Sequence, residues 1–184
     1  MSLTKKDREQ IGKIFEEQIK KLMQQLLADR VIMKNDDDKC QSSKLEQLNK
    51  KWREHGIKSE TTGLIIAPED VEIDGKTEFT WDEAVALERE GKIPEGWRLP
   101  TRHEWVLIAE EFGQDDNGEL NEYRLSKALE LVHCDDTSYG YYWSASPYTS
   151  SSNSAYGLSF SSSSVNPQYS NTKYYGFSVR CVSL

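Results

Sequence analysis

Along the first part of the chain, apolar residues recur at spacings of three and four. Ile11, Ile14, Phe15, Ile19, Leu22, Met23, Leu26 and Leu27 line one stripe while Lys, Glu and Gln fill the remainder, which predicts a long amphipathic helix over 4–33. The acidic run at 35–38 reads as a solvated loop ending that helix. Leu45, Leu48 and Trp52 then mark a second helix over 42–54, closed by His55 and Gly56. After Gly56 the period changes. Residues 61–67 (TTGLIIA) have the short apolar run of a buried strand, and Asp74-Gly75 places a turn inside a small hairpin over 71–77. Thr80 with Glu83 and Thr101 with Glu104 each form a Thr-x-x-Glu capping signature, so a helix starts at both places, one running to about Glu90 and one through Phe112. In the latter, Trp105, Ile108, Ala109 and Phe112 make the inward stripe. Two prolines keep 93–100 extended between these helices. A third short helix over 121–132 turns Tyr123, Leu125, Leu129 and Val132 inward.

The last third alternates instead. Runs at 142–145, 156–160 and 177–182 approximate the period-two spacing of half-buried antiparallel strands, with Ser, Asn, Pro and Gly between them. Tyr156, Leu158 and Phe160 share one face of the second run; Phe177, Val179 and Cys181 share one face of the third, and Trp143 joins this core. Arg180 falls on the other face, where it would tie a carboxylate or a backbone carbonyl. Composition sharpens the picture. Residues 138–184 hold 8 of the 9 tyrosines and 15 serines, but 2 of the 54 charged residues, Lys173 and Arg180.

The ordered set GWRLPT at 96–101, YWSAS at 142–146, AYxLxF at 155–160 and GFSVRCV at 176–182 resembles a C-type-lectin-fold domain. More narrowly, it is similar to the variable proteins of diversity-generating retroelements and related bacterial paralogous domains. The resemblance covers roughly 63–184. It implies an α+β chain: an N-terminal helical hairpin over 1–58, then a C-type-lectin-like domain over 59–184 with antiparallel strands and flanking helices. It also implies a variable ligand-binding region at 138–184, in which adenine-directed mutagenesis exchanges Asn codons for a restricted set rich in Ser, Tyr, Asn, Asp, Thr and Gly.

The physical reading agrees with that implication. Tyrosine offers a large amphipathic contact surface for the ordering of two torsions, and Ser, Gly and Asn add adaptable hydrogen bonds, as in antibody paratopes. Removing charge lowers the desolvation cost at an interface centre. The expected contact residues are those in loops or on the polar side of strands: Tyr148, Ser150, Ser151, Ser152 and Asn153; Ser159, Ser161 and Ser163; and Asn166, Tyr169, Asn171 and Tyr174. The expected partner is a protein ligand, bound without a cofactor or metal.

Other chemistries are less well served. A net charge of −8 argues against nucleic acid, which requires a basic footprint. No apolar run is long enough for membrane insertion, and the N-terminus has no signal-peptide pattern, so the expected location is the cytoplasm or a phage virion. Calcium-dependent glycan binding is the alternative reading, but Asn166-Pro167-Gln168 lacks the acid that sugar-binding C-type lectins use. A calcium loop at 114–119 fails because its first position would be Gly113. A formylglycine-generating type of oxidase would need a cysteine pair. Cys40, Cys134 and Cys181 have no metal-site spacing and read as buried thiols, and His103 reads as a surface residue. No catalysis is expected. The N-terminal helices bury their stripe either on the body or at an interface between subunits of a homo-oligomer.

Overall fold

The computed structural model describes residues 5–115, 117–130, 140–161 and 164–184. It is a mixed helix-and-sheet chain that divides into two compact units, Met1–Lys44 and Leu45–Leu184. The first unit lies within α1, which runs unbroken over Lys5–His55. The expected hairpin of two helices is therefore one helix, and the acidic run at 35–38 is helical. Asn and Asp cost at most about 0.7 kcal/mol each in a helix interior, and the stronger breakers Gly and Pro are absent from 13 to 55. The unit boundary falls at 44/45 rather than 58/59, because Leu48 and Trp52 on the helix's last turns pack into the core of the second unit.

That unit contains two antiparallel sheets. β1 (Ile57–Lys58), β2 (Ile65–Ile66) and β6 (Val182–Ser183) form one, in the order β1-β2-β6. β3 (Gly140–Pro147), β4 (Ser154–Ser161) and β5 (Ser164–Thr172) form the other, in the order β3-β4-β5. The strand expected over 61–67 is only the two residues of β2, and β1 was not foreseen. Residues 177–181, expected as part of a strand, are extended but bonded irregularly: Phe79 exchanges backbone hydrogen bonds with Phe177, and Val71 and Ala67 donate to the carbonyls of Val179 and Cys181. The inward set Phe177, Val179 and Cys181 is buried as the alternation predicts. The expected turn at Asp74-Gly75 also forms, with both residues at positive φ (52° and 79°) and Ile73 bridging Lys76.

Helices α2 (Trp81–Ala86) and α3 (Arg102–Gly113) open with the two expected capping boxes, Thr80 with Glu83 and Thr101 with Glu104. α2 is shorter than expected, giving way to turns before Gly91 at φ 61°. α4 (Glu122–Leu129) is capped by the Asn121 side chain. It buries Leu125 and Leu129, but Tyr123 is exposed because it sits on the opposite side of the helix; Val132 lies outside the described residues.

Two cores follow from the pleat of the β3-β4-β5 sheet. Successive side chains on a strand point to opposite faces, so the neighbours Tyr142 and Trp143 enter different clusters. Tyr142 packs with Leu158, Phe160, Trp105 and Ile108; Trp143 packs with Phe177, Val179, Ala155 and Trp97. The sheet is thus held from both sides.

Candidate ligand-binding surface

One end of the sheet is built by two segments. The β3–β4 connection, 148–153, carries Tyr148 and the serines, and the chain leaving β5 carries Lys173, Tyr174 and Tyr175. Register holds them together: Ser154 pairs with Thr172 and Ala155 with Asn171, while the Lys173 N–H donates to the Asn153 carbonyl at 2.9 Å. Tyr148 N–H donates to Ser154 O at 3.0 Å and closes the loop. Of the expected contact residues, Ser150, Ser152, Asn153 and Tyr174 are exposed here, and Tyr148 and Ser151 are half-buried.

Both capped helices point their first residue at this end. Trp81, first in α2, donates its ring N–H to Ser144 O at 2.9 Å and lies under the Lys173 ammonium, 4.2 Å from its ring centre. Arg102, first in α3, donates its backbone N–H to Ser146 Oγ at 3.0 Å and places its guanidinium 4.7 Å from the Tyr156 ring. Tyr148 meets that same ring edge-on at 5.0 Å. The result is a rim of aromatic faces with two cations stacked on them.

Tyr156, Arg102, Trp81 and Lys173 are therefore part of the rim without having been expected there. Tyr156 was assigned to the core with Leu158 and Phe160. It keeps the face of Leu158 and Phe160 but lies nearer the end of the sheet, where it is half-buried beside Arg102 at the start of α3. The signal available for the two helix residues was their position immediately after a capping threonine.

The remaining expected residues lie elsewhere. Ser154 and Ser161 are the two ends of β4, roughly 23 Å apart at the rise of a β-strand. Ser161, at the far end, is buried and hydrogen-bonds Ser164, so it is not a contact residue. Ser163 lies outside the described residues. Asn166 is exposed near that far end, where its side chain accepts from Gln168 N–H. Ser159 is half-buried mid-strand. Tyr169 packs its ring against Tyr141 at 5.4 Å and takes a hydrogen bond from Asn171 Nδ2. That pair supports the sheet more than it presents a face.

The backing is heavily tied. Arg180 is 1% exposed, donating Nε to Asp70 at 2.6 Å and its other nitrogens to the carbonyls of Ala67, Leu129 and Glu130. Arg98 makes a two-point pair with Glu104, whose carboxyl is lowered to about 2 by those bonds against the opposing effect of burial, with further help from the Thr101 N–H. Burial and the bonds from Lys51 and Trp52 act oppositely on Glu69, and the bonds prevail, lowering it. Cys181 is fully buried, and burial pushes its thiol upward, which disfavours the thiolate. Cys40 is exposed, contrary to the expectation of buried thiols, because the helix it sits on was read as a loop-broken pair; Cys134 lies outside the described residues. His103 is exposed. Among the described residues no helix is long and apolar enough to cross a membrane. No protein family, curated protein or solved structure matches this chain.

Proposed function

We propose that the second unit is a C-type-lectin-like ligand-binding module of the kind diversified by retroelements, and that the sheet end at 148–156 and 171–175 is the face that engages a protein ligand. One observation carries this reading: two Ser/Tyr/Asn-rich segments, separated in sequence, converge on one rim, where Ser150, Ser152, Asn153 and Tyr174 are exposed and Tyr148, Ser151 and Tyr156 half-buried, over a backbone paired at Ser154–Thr172 and Ala155–Asn171. Such a surface accepts exchange of side chains because few of them hold the fold. Tyr148, Tyr156 and Tyr174 supply rigid contact area, and Ser150, Ser152 and Asn153 supply adaptable hydrogen bonds.

The test is a display library in which Tyr148, Ser150, Ser152, Asn153 and Tyr174 are varied together among Ser, Tyr, Asn, Asp, Thr and Gly. The expected result is that most members fold, as judged by protease resistance, and that binders emerge against unrelated purified proteins. A library that is largely protease-sensitive, or that folds and yields no binders, overturns the reading. A copy of the 3′ coding segment differing at adenines, beside a reverse-transcriptase gene, is the matching genomic observation.

A further inference from the structure

The first unit carries an apolar face that the single chain leaves open. Ile19, Leu22, Met23, Leu26 and Leu27 are between 56% and 63% exposed, all within three turns of α1. At 100° per residue they fall within roughly a 140° arc, wider than the two-position seam of a two-stranded coil and close to the three-in-seven face of a bundle helix. Large apolar side chains are tolerated singly on surfaces, but a contiguous cluster of five is an interaction surface.

We propose that this face is the self-association surface of the protein, covered by the same helix of other copies in a helical bundle. Charge selects that occupant. Between residues 5 and 44 there are ten basic and eight acidic side chains, so the helix is close to neutral although the chain as a whole carries −8. Copies can therefore approach through α1 without the repulsion that other surfaces would impose. The polar side of the helix mixes both signs, as in the Glu17–Lys21 pair at 3.5 Å, and is rich in Gln. An interfacial helix for anionic lipid would instead concentrate Lys and Arg there. The area is also substantial: the five side chains offer on the order of 600 Å² per copy, a large part of the roughly 800 Å² per partner of a standard interface. Assembly would gather several rims, so that weak individual contacts act together.

The test compares the full chain with its Leu22→Glu/Leu26→Glu variant by sedimentation equilibrium from about 1 to 100 μM, a range that brackets micromolar association. The expected result is a wild-type mass that is a multiple of 21.2 kDa and falls toward it on dilution, a variant at 21.2 kDa throughout, and identical protease resistance of residues 45–184 in both. A wild type monomeric at the top of the range overturns the proposal, whether or not it then binds vesicles of phosphatidylserine and phosphatidylcholine. A variant that keeps the wild-type mass overturns it equally.

Discussion

The rim and the scaffold behind it differ in how many partners each side chain has. All five tryptophans donate their ring N–H within the fold: Trp52 to Glu69, Trp81 to Ser144 O, Trp97 to Asn49, Trp105 to Trp143 O and Trp143 to Phe79 O. Arg180 has four acceptors. Tyr174, by contrast, is 72% exposed and touches chiefly the ring of Tyr175. Composition alone does not draw this line. Ser144 and Tyr142 belong to the same Ser/Tyr-rich stretch yet are fully buried, with Ser144 Oγ donating to Tyr156 O and Tyr142 Oη to Asp70. Tolerance to exchange is set by partner count, and the stretch interleaves fixed and free positions.

The sharpest way to break that contrast is at its most connected residue. Trp143 is fully buried, stacks on Phe177 at 4.1 Å and donates its ring N–H to Phe79 O, while its backbone carbonyl accepts from the Trp105 ring N–H. Trp143→Ala is expected to cost about 3–5 kcal/mol in urea unfolding. A loss within the ordinary surface range of about 0.5 kcal/mol would mean the scaffold is not what holds the rim.

A glycine inside the variable stretch gives a smaller effect of the same kind. A Cβ on Gly157 would lie 2.4 Å from the backbone oxygen of Tyr142, an atom that cannot rotate away. Gly157→Ala should cost about 1–3 kcal/mol as overpacking, because it forces β4 away from β3. Thermal unfolding checks this; an unchanged melting temperature would place Gly157 among the exchangeable positions.

Smaller again is the Arg98–Glu104 pair. Because the Glu104 carboxyl falls from 4.5 to about 2 on folding, its contribution is fully present above pH 4.5 and is lost as pH falls through 2. Partial exposure screens it to on the order of 1 kcal/mol. Glu104→Gln should therefore be less stable than wild type at pH 7 by about that amount, with the difference closing between pH 4.5 and 2. A difference independent of pH would assign the effect to the capping hydrogen bonds alone.

What the sequence made legible follows the range of the interactions involved. Both capping boxes were readable because donor and acceptor are three residues apart, and the buried set Trp143, Phe177, Val179 and Cys181 because alternation is local. The half-exposure of Tyr156 was not, since it depends on where α3 begins over the sheet. Nor was the meeting of Arg102 and Trp81 at one sheet end, which needs two helices placed on one strand. The unbroken α1 was missed because Asn and Asp favour turns only weakly and have no veto over a helix.

The least disruptive change is also the one that defines the rim. Tyr148→Ser and Tyr174→Ser each remove a large ring but leave every strand pairing intact, since the loop-closing bond at 148 uses the backbone N–H. Tyr174 has one ring neighbour and Tyr148 one, so each substitution should alter stability by no more than about 0.5 kcal/mol. Tyr148 is the stricter case, because its edge contact with Tyr156 sits beside the Arg102 guanidinium. If either serine variant instead unfolds with the cost of a core truncation, that tyrosine belongs to the scaffold. Side-chain exchange at this end of the sheet would then be limited by the fold, and a surface meant for many ligands would have to lie elsewhere.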